Sequence, residues 1–376
     1  MTVIADMSNN PLSSSPSSKV LDLETMNPHI REMGYAVRGA ISICAEQIER
    51  EIRAPEDRAK YDFDTITYCN IGNPQQLGQK LLTFLRQVTV LAEYPELLKD
   101  ENLPTTQKLF PADTIERAKM VFRWTDNAIG AYSASLGIHE IREDVAKFIE
   151  ERDGYPSNPE LIRLTADASV SVERLLNLII SGPEVGIMIL IPQYLLYTTS
   201  IDKFNAHAVP CYLRDSEQWG LDVSELNQVL NEHRAKASTC AALSSSTLEN
   251  MVEVIRFCEK NRLILMADEV YQANVYQPDV RPFHSFKKVV CELGSSVELF
   301  SLHSISKGMI GECGRRGGYY EVTNINTDII AQLYKMATVS LCPNVQGQIA
   351  LDIMVNPPKQ GDPSYELYNA ELNEIY

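Results

Sequence analysis

The sequence predicts an α/β protein with a doubly wound, mostly parallel sheet and helices on both faces. Three observations predict it. Short apolar runs such as Val185–Pro192 (VGIMILIP) are nearly continuous, as strands covered on both faces are. Amphipathic helical patterns alternate with those runs along the chain. Polar residues gather where the runs end, at Asp268 and near Lys307. In sheets of this kind ligands bind beyond the carboxyl ends of the strands.

The elements follow in order. Residues 1–19 contain SNNPLSSSPSSK (Ser8–Lys19), a composition that predicts a disordered arm. GIHEIREDVAKFIEERDG (Gly137–Gly154) places Ile138, Ile141, Val145, Phe148 and Ile149 on one helical face and stops at Gly154. SVERLLNLII (Ser171–Ile180) predicts a buried helix, and Val185–Pro192 a covered strand. LDVSELNQVLNEH (Leu221–His233) has Val223, Leu226, Val229 and Leu230 at helical spacing. MVEVIRFCEK (Met251–Lys260) predicts a helix, RLILMADEVY (Arg262–Tyr271) a strand, and VELFSLHS (Val297–Ser304) another. PSYELYNAELNEIY (Pro363–Tyr376) is a helical pattern without a stop signal, read as the start of a longer element.

Composition narrows the function. Of 376 residues 44% are hydrophobic, enough for one large core or two smaller ones. The net charge of −16 repels phosphate backbones, so nucleic acid is not an expected partner, and an anionic ligand needs a local cluster of donors. No apolar run has the length of a membrane span. The eight cysteines show no C-x-x-C, and the six histidines no H-E-x-x-H. Mostly buried free thiols in a reducing compartment and no metal site are expected. The first eighteen residues hold Asp6 and no Lys or Arg, which points to the cytoplasm.

Chemistry concentrates at the strand ends. Lys307, between Ser306 and Gly308, follows an apolar strand. A lysine there can lose solvent, lower its pKa and form a Schiff base, although most lysines taken alone are solvated surface groups. Gly311, Gly314, Arg315, Arg316, Gly317 and Gly318 make a turn in which backbone and guanidinium could hold a phosphate, or a plain flexible turn. No G-x-x-x-x-G-K-[ST] supports a nucleotide loop. Asp268 in ADEVYQ (Ala267–Gln272) is either a solvated acid or the partner of a protonated ring nitrogen, with Tyr271 nearby. Tyr194 in IPQYLLY (Ile191–Tyr197) is either packing or a ring for stacking. Together these groups would grip a pyridine aldehyde that carries a phosphate.

The chain resembles the alanine aminotransferases, within the class I pyridoxal-phosphate aminotransferases of fold type I. The matching stretches are GYAVRGAI, NIGNPQQLGQKLLTFLRQV, GAYSASLGIHEIREDVAKFIEERDG, IPQYLLY, ADEVYQANVY, FHSFKK and SLHSISKGMIGECGRRGGYYEV. The resemblance implies that Lys307 forms the Schiff base with pyridoxal 5'-phosphate and then shuttles the proton. It implies that Asp268 keeps the ring nitrogen protonated, that Tyr271 bonds the ring hydroxyl and that Tyr194 stacks. Ser304, Ser306, Arg316, Ala168 and Ser169 would hold the phosphate. Tyr132 would reach it from a second copy, which implies a homodimer, and Gly72 would lie near the substrate carboxylate. The expected reaction moves an amino group between L-alanine and 2-oxoglutarate, giving pyruvate and L-glutamate. Residues 20–100 would contribute to a small domain and the dimer interface, 101–340 would form the large domain, and 341–376 would begin an incomplete C-terminal small domain.

The sequence departs from that family in four places. TCAALSSSTLENM (Thr239–Met251) lacks the N-P-G-N-P-T-G loop and its asparagine. The T-G-A-S phosphate turn reads ADAS, with Asp167 in place of glycine, a negative charge where a phosphate is expected. Leu195 stands for a proline. No residue can be assigned to the arginine that clamps the substrate carboxylate, so the chain reads as divergent and C-terminally truncated. The alternative function is therefore an impaired or inactive homologue that keeps the fold and binds the cofactor weakly. Another activity of the fold, a lyase or decarboxylase, is disfavoured by the run around Glu312 and Cys313. Arg315 is expected to be solvated.

Overall fold

The computed structural model describes residues 20–214, 219–233, 237–243 (backbone only) and 247–375. The arm read at 1–19 lies outside the described residues, as does 244–246 within the departing loop. In chain order the helices are α1 (Pro28–Glu32), α2 (Ala40–Arg53), α3 (Thr83–Glu93), α4 (Leu103–Thr106), α5 (Ala112–Trp124), α6 (His139–Asp153) and α7 (Ala168–Ile179). They continue as α8 (Leu196–Lys203), α9 (Val223–Glu232), α10 (Leu248–Asn261), α11 (Phe286–Leu293), α12 (Thr327–Val339), α13 (Val345–Val355) and α14 (Tyr365–Asn373). The strands are β1 (Ile162–Thr165), β2 (Gly186–Ile191), β3 (His207–Tyr212), β4 (Ala237–Leu243), β5 (Ile264–Asp268), β6 (Leu299–Ser304) and β7 (Gly318–Thr323).

The strands form one sheet in the order β1-β7-β6-β5-β4-β2-β3. The run from β6 through β5, β4 and β2 to β3 is parallel, and β7 alone runs against its neighbours β6 and β1. The reversal matters for the site. It brings the start of β7, and Arg316 just before it, to the edge where β1, β5 and β6 end.

Alternation along the central strands explains the two covered faces. On β5, Leu265 and Ala267 pack with Leu226, Val254 and Val290 of α9, α10 and α11. Met266, between them, faces the opposite layer with Val172, Ile201 and Leu333 of α7, α8 and α12. The expected doubly wound arrangement is thus observed. Strands β2, β5 and β6 form where their apolar runs stand. Strand β1 has only four residues and carries Arg163 inside, and β3 holds Pro210 at the sheet edge, where proline costs no central ladder bond. Neither has the continuous apolar run that marks β2.

Helix α6 follows its expected face. Ile141, Val145 and Ile149 are buried, and the helix stops at Gly154 in a left-handed conformation with φ 75°. Phe148 is only half-buried, packed at the margin of the core. Helix α13 is buried almost all round and shares a core with α3, α6 and β1. Of the seven described free cysteines, only Cys211 and Cys258 are buried and Cys44 and Cys69 are exposed, so the expectation of mostly buried thiols is corrected. Scattering along the sequence carried no information about burial. Among the described residues no helix is long and apolar enough to cross a membrane.

Candidate active site

Asp268 is the last residue of β5 and pairs in register with Leu302 of β6. Lys307 follows β6 within one turn. Two parallel neighbours therefore deliver a carboxylate and an amine to the same edge. Asp268 is buried, and its Oδ2 accepts a hydrogen bond from the Tyr197 hydroxyl at 3.0 Å. Its Oδ1 is buried with no partner. Loss of solvent raises the Asp268 pKa, and the Tyr197 hydroxyl and then the Val270 N–H oppose the rise. Tyr197 went unread in the sequence, since a tyrosine inside an apolar helix face looks like packing.

Lys307 is half-buried and burial lowers its pKa. Its Nζ donates to the carbonyl of Gly72. A Cβ on Gly72 would stand 3.1 Å from that Nζ and 3.8 Å from the Tyr271 hydroxyl. Gly72, Tyr271 and Lys307 thus share one cleft of about 660 Å³, which Asn274 and Gln79 also line. Asn274 accepts from the Gly308 N–H at 3.0 Å, and Gln79 donates to the Met309 carbonyl at 2.7 Å. These two side chains hold the turn after Lys307, a role the sequence pattern did not show. Tyr271 is 54% exposed, and burial and then the nearby Asp268 and Tyr194 raise its pKa. Tyr194 is itself 39% exposed, in the loop after β2.

The anion corner lies at the same edge. Ala168 and Ser169 open α7 after β1. Ser304 is buried and its hydroxyl accepts from the Ser306 N–H at 3.3 Å, while the Ser306 hydroxyl is buried without a partner. Arg316 adopts φ +60°, and its Nη1 donates to the Cys313 carbonyl at 3.0 Å. Its Nη2 pairs with the Asp167 carboxylate. Arg315 is not solvated as expected: it pairs with Glu312 at 3.2 Å, and Glu312 also takes Arg86 at 2.6 Å. Tyr132 is 78% exposed and stands outside the cleft lining.

Glycines set the position of Arg316. A Cβ on Gly347 of α13 would come within 2.0 Å of the Arg316 carbonyl oxygen, and one on Gly317 within 2.4 Å of the Gly347 carbonyl. The obstacles are backbone atoms, so relief requires moving the turn. Gly347→Ala is expected to lower stability by about 1–3 kcal/mol, the range for overpacking, with a lower denaturant midpoint as the measurement.

A buried polar network braces the far side of the Asp268 turn. Glu269 accepts from the Phe286 N–H at 2.8 Å and lies 3.9 Å from Arg152, which also bonds Gln272 and Asp153. Burial lifts the Glu269 pKa to about 7 despite Arg152. The folded protein therefore holds a proton there that the unfolded chain releases above the ordinary glutamate value of 4.5, so stability from this group falls as pH rises from about 4.5 to 7. His303 works in the opposite sense. Burial holds it neutral with a pKa of about 3, and stability from it falls as pH drops below the ordinary histidine value of 6.5. Glu269→Gln keeps the acceptor and removes the titration. It is expected to gain on the order of 2 kcal/mol on wild type between pH 5 and pH 8, read by denaturant unfolding at both.

A parallel core sheet of this order, with an amine and a buried carboxylate at adjacent strand ends, defines a fold-type-I pyridoxal-phosphate protein. The chain belongs to the aminotransferases of class I and II, whose family model matches residues 101–374. The glutamate–glyoxylate aminotransferase 1 of Arabidopsis thaliana is 44% identical over 371 residues, 95% of this chain and 74% of that protein. The probable mitochondrial alanine aminotransferase of Dictyostelium discoideum is 43% identical over 373 residues, 95% of this chain and 69% of that one. Among solved structures, the alanine aminotransferase from Pyrococcus furiosus matches with a TM-score of 0.68 over 93% of this chain and 75% of that one; at 15% identity this is a likeness of fold.

The family are enzymes acting on amino acids and 2-oxo acids, with pyridoxal 5'-phosphate as cofactor. The residues here fit its ring. The orphaned Asp268 Oδ1 lacks the cationic donor that a protonated ring nitrogen provides, and Lys307 offers a partly desolvated amine.

Proposed function

We propose that this protein transaminates between L-alanine and 2-oxoglutarate, giving pyruvate and L-glutamate, with Lys307 as the residue that attaches the cofactor. The observation that carries the reading is the pair at adjacent strand ends, the half-buried Lys307 amine and the unpartnered Asp268 Oδ1. When bound, pyridoxal phosphate supplies a ring that withdraws electrons from the amino acid's α-carbon. The chain's residues do the rest. Asp268, held by Tyr197, would keep a proton on the ring nitrogen. Lys307 Nζ, its pKa lowered by burial, would be the base that takes the proton from the amino acid's α-carbon and holds it for return. Tyr271 would hydrogen-bond the ring hydroxyl, Tyr194 would cover the ring, and Gly72 would border the substrate carboxylate. Ser304, Ser306, Arg316 and the opening residues of α7, Ala168 and Ser169, would be the groups nearest the phosphate.

The test is purified protein with pyridoxal phosphate, L-alanine and 2-oxoglutarate, with pyruvate and glutamate followed by mass spectrometry. Borohydride reduction and peptide mapping locate the cofactor. Label on Lys307 with pyruvate formed supports the reading; no retained cofactor overturns it. A second acceptor, glyoxylate, belongs in the same assay because the Arabidopsis relative is named for it. The reading of an impaired homologue is favoured by one observation, the Asp167 carboxylate on Arg316. Label on Lys307 without pyruvate would select it.

The division into a large domain at 101–340 with small-domain segments at 20–100 and 341–376 is part of the proposal, checked by limited proteolysis. So is a homodimer, supported by exposed Tyr35, Ile41, Phe63 and Tyr132 and checked by sedimentation. The free thiols support a reducing compartment, proposed as the cytoplasm, although the Dictyostelium relative is named mitochondrial. Cell fractionation decides between them.

A further inference from the structure

We propose that Asp167 is a built-in competitor for the phosphate end of the cofactor site. The inference rests on the reading that the cleft holds pyridoxal phosphate, and it concerns the Arg316 corner, where this chain supplies a carboxylate of its own. Asp167 is 3% exposed, with its side chain turned inward. Its Oδ1 caps α7 by accepting the Val170 N–H at 2.8 Å, and its Oδ2 pairs with Arg316 Nη2. One carboxylate thus engages the helix N-terminus and the arginine together, the two features that make this edge attractive to a phosphate.

Main-chain packing keeps it there. The Asp167 carbonyl accepts from Thr165 Oγ1 at 2.9 Å and Ser171 Oγ at 3.1 Å. A Cβ on Gly318 would fall 2.9 Å from Asp167 main-chain atoms, so β7 closes against the residue from the other side. Relief is left to side-chain rotation, which breaks the cap and the ion pair and leaves a carboxylate beside an arriving dianion. The buried, unpartnered Ser306 hydroxyl is a donor at this edge that Asp167 does not use. It follows that the chain holds its cofactor chiefly through Lys307 and Asp268 at the ring, with the phosphate adding little.

The experiment compares pyridoxal with pyridoxal phosphate, which differ at that end alone. Both are titrated by absorbance against wild type, Asp167→Asn and Asp167→Ser. Asn and Ser also cap helices, so both variants keep the start of α7, and thermal melting confirms that each folds. Wild type is expected to bind pyridoxal phosphate less than about tenfold more tightly than pyridoxal, and Asp167→Asn to tighten the phosphate form by roughly ten- to a hundredfold, the span of hydrogen bonds to a charged group. The affinity for pyridoxal should not change. Inorganic phosphate should raise the melting temperature of the variants and not of wild type. If pyridoxal labels Lys307 under borohydride but neither substitution tightens pyridoxal phosphate, the competitor proposal fails while the cofactor reading stands. If neither compound labels Lys307 in any form, the cofactor reading falls and takes the proposal with it.

Discussion

Lys307→Ala is expected to remove covalent attachment of the cofactor and to lower transamination by at least 10²–10⁴-fold, roughly the loss from proton transfer alone. No other described lysine is placed to replace it. Lys80, which shares the cleft, is exposed and engaged by Glu374. Lys287 is buried on Glu321 at 2.6 Å, behind the Asp268 turn. The substitution leaves the Gly72 carbonyl, at the cleft surface, free to take water, so a cost in stability is not expected. Unchanged melting with lost label and lost pyruvate is the expected combination. Retained turnover would require a different base and would overturn the assignment of Lys307.

Arg117→Met is expected to lower stability by about 3–5 kcal/mol, the cost of stranding a buried charge, and so to remove a large part of a typical stability of about 5–15 kcal/mol. Asp352, on α13, is fully buried, and Arg117 Nη1 meets its Oδ2 at 2.7 Å while Nη2 caps the Asn356 carbonyl at 2.8 Å. The other Asp352 oxygen has no partner. Burial lifts the Asp352 pKa to about 7 against the pull of Arg117, and the neighbouring Asp144 carboxyl adds to the rise. The folded state thus binds a proton that the unfolded chain releases above the ordinary carboxyl value of 3.8, and this contribution to stability falls as pH rises towards 7. The variant's deficit should therefore be smaller at pH 5 than at pH 8. Pairing it with Asp352→Leu should recover much of the loss, since an apolar pair of similar volume often replaces a buried ion pair. Denaturant midpoints of the three variants at both pH values decide the matter.

Legibility followed the local physics. Strands β2, β5 and β6 were visible because burial on both faces leaves an apolar run. Helix α6 was visible because Ile141, Val145 and Ile149 recur at helical spacing and Gly154 can take the left-handed turn. Strands β1 and β3 were not, since a buried Arg163 and an edge Pro210 break the pattern, and only the tertiary neighbours make them strands. At the candidate site, Lys307, Asp268 and Tyr271 were legible because they stand at the ends of strand runs, and Arg316 because it sits in a glycine-rich turn. Tyr197, Asn274 and Gln79 did not, because their roles depend on partners far along the chain. Arg315 was misjudged for the same reason. Whether a guanidinium is solvated depended on Glu312, and Glu312 depends on Arg86. The sign of the conflict at Asp167 was legible, but its direction, inward onto Arg316, needed the geometry.

The cleft is sewn together by its most distant parts. Gln75 bonds the Gly311 carbonyl across 236 positions, Gln79 reaches Met309 across 230, and the Thr83 N–H meets Glu371 across 288. Contacts of that separation pay their loop-closure entropy before they return any stability, so they form late. A nascent chain can assemble β2 to β6 while its later residues are still being added, but the turn that carries Lys307 lacks its Gln75 and Gln79 tethers until the ends meet. Amine reactivity should thus appear after the bulk of the secondary structure during refolding. In a chain built this way, the appearance of the reactive amine would report that folding is complete.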